Sequence, residues 1–429
     1  MRTAALQCAL ISRGNFEAGV TPMRLLMLVL LAFSVGPSAI AICPLCPPPR
    51  LTWAEAKRDS DALLLATLIR IEKETATKPG AAVFAVRDVL AGRKLVPKGH
   101  LRIAGFVYGK PGDLFVLKAA WDDPIPAADL SNEDEPDKTA AVVKPVSGTR
   151  KESLIWEVSE RLSQQTWDYI KAVPNADADP EERLTFCLRH LESSDAPIAA
   201  DAWAEFAKAE YDDIRQLKDQ FQAANLRRWI RASDAAPERV NLYALMLGMC
   251  GTETDREFFQ NRIAREDISF GLEGLLGGLL VLSGRDGLQF IESSLLADPD
   301  AGPLRVWAAV QALQFAWNHE RESIGPDSLR AALRASLAQE SVRDMALTLL
   351  TQWQDWTLMK QMPELYEACQ GDSRSVKAIT AFTLLFQKAH ADQETMDQKT
   401  AEDMLRQLRQ KHPRIVSTLR RSLRIPEKL

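Results

Sequence analysis

The chain has 429 residues, room for about three units of ordinary domain size, and 46% of it is hydrophobic against 26% charged. That balance supports large buried cores and excludes a wholly disordered or collagen-like chain. With 53 Lys and Arg against 58 Asp and Glu, the net charge is -5. No strong attraction to nucleic acid is expected, and none is assigned as a partner.

From Met23 the chain reads MRLLMLVLLAFSVGPSAIAICPLC. Arg24 precedes an apolar run from Leu25 to Val35, and Ala39-Ile40-Ala41 supplies a small-residue cleavage pattern. The run is well short of the roughly 20 residues that a membrane-spanning helix needs. Residues 1–41 are therefore expected to be an upstream extension and a signal peptide, with Met23 as the start. The mature chain is expected to be secreted, or held in the periplasm or cell envelope. Ile42 stands where a lipidated cysteine needs a small neighbour, which disfavours a lipoprotein.

Cys43 and Cys46 form a C-x-x-C pair. Three readings stay open: a structural disulfide, two soft ligands of a metal completed elsewhere, or a redox pair. Pro47 to Pro49 follow at once and no βαβ pattern surrounds the pair, so the structural reading leads. Pro47 also replaces the histidine that haem attachment requires. Cys187, Cys250 and Cys369 sit in helical patterns among apolar residues and read as small buried hydrophobes.

Residues 42–120 are expected to form a β-rich, barrel-like domain. Strand signals cover 62–71, 82–90, 100–104 and 114–119, with turns at Gly92, Gly99, Gly109 and Pro111-Gly112. Leu51 to Ser60 reads as a short helix or cap. Gly105 to Lys110 lacks the spacing of a P-loop and is assigned to strand and turn. The segments CPLC at 43–46, DALLLATLIRIEK at 61–73, AVFAVRDVLAG at 82–92 and GDLFVLKA at 112–119 together resemble a netrin-like OB barrel. Netrin-like metalloprotease inhibitors start with C-x-C, whose terminal amine and carbonyl chelate zinc. The C-x-x-C behind Ile42 departs from that pattern. Residues 121–150 read as an acidic linker with room for a final strand, and they lack the ligand spacing of an EF-hand.

From 151 to 390 apolar residues recur at helical spacing. Helices are expected over 180–190, 199–208, 225–230, 237–250, 253–263, 271–282, 287–296, 304–317, 328–337, 342–353, 363–369 and 376–390. Two-helix units begin 30 to 41 residues apart, and the region resembles degenerate HEAT or armadillo-like repeats. Gly271, Gly274, Gly277 and Gly278 suit close helix packing rather than a dinucleotide fingerprint. Trp307 and Trp317, with Phe315, form one set of candidate anchors, and Trp353 with Trp356 another; they line either the core or a groove. His319-Glu320 diverge as helix neighbours and read as a solvated helix-end pair. No H-E-x-x-H or G-x-S-x-G occurs, so no catalytic residue, metal or cofactor is assigned.

Residues 391–429 are expected to be a basic helical cap or tail. Eight Lys and Arg fall between Arg406 and Leu429 against one acid, Glu427. Arg420, Arg421 and Arg424, interspersed with Leu419 and Leu423, are candidates for contact with anionic lipid or an acidic partner.

The whole is expected to be an α+β multidomain chain: a small β-rich barrel-like domain followed by a predominantly α-helical, HEAT-like solenoid. A signal followed by Cys43-Pro44-Leu45-Cys46, a β-rich front and a helical body resembles exported planctomycete-type proteins with an N-terminal CPxC motif, which implies an envelope location. The expected function is a non-enzymatic scaffold or interaction module for an envelope protein or peptide. The alternatives are a thiol-disulfide oxidoreductase using Cys43 and Cys46, and a membrane-associated adaptor using the basic tail. None of these features sets an oligomeric state.

Overall fold

The computed structural model describes residues 51–75, 79–121, 154–233, 235–265, 271–369, 371–392 and 395–426. All of these belong to one unit, Ile42–Leu429. The expected signal peptide, Cys43 and Cys46, and nearly all of the acidic linker lie outside the described residues.

Five strands, β1 (Ala62–Glu72), β2 (Ala81–Ala91), β3 (His100–Ala104), β4 (Leu114–Trp121) and β5 (Leu154–Leu162), form an antiparallel sheet in the order β3-β2-β1-β4-β5. Register shifts between Leu63 and Leu64, Leu65 and Ala66, and Leu68 and Arg70 bend β1 against β2. Irregularities of this kind raise local twist. The sheet is accordingly a curled half-barrel with β3 and β5 as its edges.

Strand alternation sends successive side chains of β1 to opposite faces. Leu64, Ala66 and Leu68 join Phe84, Leu101, Ile103, Phe115 and Leu117 in the core on one side. There Phe84 and Phe115 meet edge-on at 5.7 Å. Leu63 and Leu65 face the other way, onto Ala54, Val116, Trp167, Ile170 and Ile198. Both faces are covered, which explains why β1 opens with an unbroken apolar run, Ala62–Ala66, rather than an alternating one.

Two helices supply that second cover. Helix α1 (Trp53–Asp59) opens on a reciprocal cap: the Glu55 amide donates to Thr52 Oγ1 at 3.3 Å and the Thr52 amide to Glu55 Oε2 at 2.8 Å. Helix α2 (Gln164–Ala172) starts directly after β5, with the Ser163 hydroxyl accepting from the Thr166 amide at 3.0 Å. Trp167 of α2 is fully buried against the sheet, and its indole donates to Asp88 Oδ2 of β2 at 3.0 Å.

β5 corrects the expected boundary at residue 151. Leu154, Val158 and Leu162 are four apart and satisfy a helical period as well as an alternating one. The chain instead pairs with β4 from Leu154 opposite Trp121 to Leu162 opposite Leu114. Trp156 and Val158 then pack on the sheet core.

The body continues with α3 (Pro180–Leu188), α4 (Ala196–Lys208), α5 (Tyr211–Gln216), α6 (Ala223–Arg231), α7 (Pro237–Cys250) and α8 (Glu253–Ile263). Next come α9 (Leu272–Ile291), α10 (Pro303–His319), α11 (Arg321–Ile324), α12 (Pro326–Ala335) and α13 (Arg343–Gln352). The last four are α14 (Met362–Ala368), α15 (Ser373–Ala389), α16 (Met396–Lys411) and α17 (Pro413–Ser422). Proline at the first position of α3, α7, α10, α12 and α17 fits a site whose amide lacks a helical partner anyway.

Packing runs mainly between near neighbours in sequence. α7 lies against α6 and α9, α9 against α8 and α10, and α15 against α13, α16 and α17. One continuous core extends from Leu184 to Ile425, as expected for stacked helical units. Residues 271–282 and 287–296, expected as two helices, are joined in α9, whose backbone breaks at Gly284 (φ 52°, ψ -119°), and in the π-turn that follows it. The glycines of α9 permit its closest contact. A Cβ at Gly274 would lie 2.3 Å from Asn241 Cα, and one at Gly278 would lie 2.3 Å from Ala244 O.

Candidate anion-binding site

The C-terminal helices build the site. α16 is capped by Thr395, whose hydroxyl accepts from the Gln398 amide at 3.2 Å. It ends at Lys411, and Pro413 restarts the chain as α17. Val416 and Leu419 anchor α17 in the core, together with Ile425 just beyond it. The helix closes in a two-bond cap: Ile425 N–H donates to Arg420 O at 2.9 Å and Arg424 N–H to Arg421 O at 3.2 Å. That motif places one residue in the left-handed region, a position glycine usually fills. Here it is Arg424, with φ 52°.

Arg409 of α16 and Arg420, Arg421 and Arg424 converge on a concavity of 710 Å³, with Pro413, Val416, Ile425 and Pro426 as its apolar lining. Arg420 is only 8% exposed and commits Nη1 to Pro426 O at 3.0 Å. Arg421 is exposed and directs Nε at Ser417 O at 3.4 Å. Arg424 is exposed as well, and neither it nor Arg421 has an acidic partner among the described residues. Guanidinium forks bind carboxylates and phosphates through paired hydrogen bonds. The arrangement is therefore suited to holding an anion that also carries apolar groups.

The structure thus brings together the three arginines singled out in the tail, and Arg420 is as much a structural tie as a contact residue. Arg409 was missed. It lies outside the run at 420–424, and only the reversal at His412-Pro413 brings α16 beside α17.

The tryptophans are grouped differently from their order in the chain. Trp317 stacks on Trp353 with centroids 4.3 Å apart and planes 6° apart. Arg321 and Arg330 each lie 5.2 Å from the Trp317 ring centre, and Arg330 Nη2 donates to Trp353 O at 2.7 Å. Trp353 is 3% exposed, so this pair is an internal clamp between helices. Trp356 meets Phe382 and Phe386 edge-on at 5.3 and 5.9 Å. Trp307, 44% exposed, is the one of the four that lies open to solvent.

His319 and Glu320 do not form a solvated pair. Glu320 is 6% exposed; it accepts from Tyr211 Oη at 2.5 Å and from Ser323 Oγ at 2.9 Å, and is paired with Arg215. The His319 ring packs on Tyr211 and Phe315 at 4.7 and 5.1 Å. The two side chains serve packing between α5 and α10.

The three described cysteines are unpaired as thiols. Cys187 and Cys369 are buried, as expected, and Cys250 is half-buried. Burial pushes the Cys187 thiol far up and that of Cys250 up to about 11, the reverse of an activated nucleophile. Among the described residues no group of three or more His, Cys, Asp or Glu is placed to hold a metal ion. Among them, too, no helix is long and apolar enough to cross a membrane.

In comparisons with known proteins, no family model, curated protein or solved structure matches the chain.

Proposed function

We propose that this chain is a non-catalytic interaction scaffold of the cell envelope, and that its C-terminal concavity receives an acidic segment of a protein or peptide partner. The observation that carries the reading is the pair of exposed arginines, Arg421 and Arg424, on an apolar-floored hollow that Arg409 and Arg420 also line, in a chain whose net charge is -5. The local charge is therefore opposite to the global one and is not a by-product of a basic composition. A concave, apolar-floored site fits a peptide segment better than the flat surface of a bilayer. The envelope location rests on the signal pattern from Met23 to Ala41.

Anisotropy of a short fluorescent peptide alternating Glu and Leu, titrated with the full chain, tests the reading. Binding should weaken with added salt and fall about tenfold in the Arg421→Ala, Arg424→Ala double variant. Equal binding by the variant, or a preference for anionic phospholipid vesicles over the peptide, would overturn it. N-terminal sequencing of chain recovered from the envelope fraction should find Ile42.

A further inference from the structure

A second hollow lies at the front of the helical body, remote in sequence from the arginine site and different in chemistry. The end of α3, the turn after it and the start of α6 enclose 630 Å³, within the roughly 300–1,000 Å³ of small-molecule sites. Its polar lining is dominated by amides and hydroxyls. Gln220 Nε2 donates to Thr185 Oγ1 at 3.2 Å, and Asn225 Nδ2 donates to Gln222 Oε1 at 2.6 Å. Each carboxamide offers two donors and a two-lone-pair acceptor, so these pairs hold one another in place while keeping hydrogen-bonding capacity for a ligand.

The groups that would favour a charged ligand are largely occupied or neutral. Glu192 is taken up by the Tyr243 hydroxyl and by Arg239. Burial, reinforced by the Arg189 charge, holds His190 below its ordinary pKa and so disfavours its charged form. Arg189 is the one cation of the lining. The aromatic element is Trp229, half-buried and backed by the Tyr243 ring at 5.0 Å, which fixes its plane.

Fixed amides and hydroxyls around a braced indole suit a ligand with hydroxyls at its edges and C–H bonds on its faces. A phosphate or carboxylate finds a single cation here, and a lipid chain finds too many polar groups to desolvate. We infer that this hollow binds a neutral saccharide, with a pyranose face on Trp229 and hydroxyls on Gln220, Gln222 and Asn225. This inference does not depend on the arginine site or its partner.

The test is calorimetry and tryptophan fluorescence of the full chain against a panel of neutral di- to tetrasaccharides: β1,4- and α1,4-glucans, N-acetylglucosamine oligomers and mannans. At least one should bind and perturb the fluorescence. Its affinity should fall about tenfold in Gln222→Ala and Asn225→Ala, which lie outside the core and should leave the melting temperature unchanged. Loss of the fluorescence change in Trp229→Phe, with folding intact by circular dichroism, should place the ring. Failure of the whole panel to bind would overturn the inference. So would binding indifferent to Gln222→Ala and Asn225→Ala, or binding confined to sulfated oligosaccharides.

Discussion

Tyr169 and Asp201 join the β-rich front to the helical body: the phenol of α2 donates to Asp201 Oδ2 of α4 at 2.8 Å. The other carboxylate oxygen accepts from the Trp53 amide at the start of α1 at 2.7 Å. Burial pushes the Asp201 carboxyl up to about 7 from an ordinary 3.8; the two hydrogen bonds oppose the rise, and the charges of Glu205 and Glu55 add to it.

A carboxyl raised on folding binds more protons in the folded chain than in the unfolded one between those two values. Its contribution to stability is therefore complete below about pH 4 and is lost as pH rises to about 7, by at most about 1.4 kcal/mol per pH unit. Asp201→Asn should remove that slope. Urea midpoints at several pH values check it: the difference between parent and variant should shrink or reverse as pH rises, and a pH-independent difference would refute it.

Tyr211→Phe should cost about 1 kcal/mol, the worth of a buried hydrogen bond whose acceptor keeps other donors. Glu320 would retain Arg215 and Ser323. Arg215→Ala should cost more, because it leaves a buried carboxylate without its cation. Equal losses in urea unfolding would refute this ranking.

Gly278→Ala should destabilise by roughly 1–3 kcal/mol through overpacking. Its Cβ would meet both Ala244 O at 2.3 Å and Phe259 Cζ at 2.8 Å. Gly371→Ala, where a Cβ meets nothing within 4 Å, is the control and should be close to neutral. Thermal melts of the two variants side by side decide it.

Arg424→Gly should stabilise the chain by about 1 kcal/mol, since glycine occupies the left-handed region without the Cβ penalty. The same change should weaken the acidic peptide. A lower urea midpoint would mean that the arginine side chain contributes packing that outweighs its backbone strain.

Much of the fold is legible in the residues because local and tertiary preferences agree. Helix α8 matches its expected span, 253–263, since Thr252 and Asp255 cap it and Ile263 closes an apolar stripe. β5 was not legible: Leu154, Val158 and Leu162 suit two periods equally, and only pairing with β4, across a long stretch of chain, selects one. The arginine site was half legible. A basic run is visible in one dimension, but its convergence with Arg409 depends on the turn at His412-Pro413. The groove at Trp229 gave no local signal, because Thr185, Gln220 and Asn225 belong to three separate elements. Likewise Trp317 and Trp353, 36 positions apart, stack only because α10 and α13 are brought together.

The pairing of Trp121 with Leu154 has a further consequence. These residues end adjacent strands, so whatever chain connects them begins and returns at the same sheet margin. This margin is thus a natural port for grafting: an affinity tag, a fluorescent reporter or an entire foreign domain with neighbouring termini can enter there without parting the two strands.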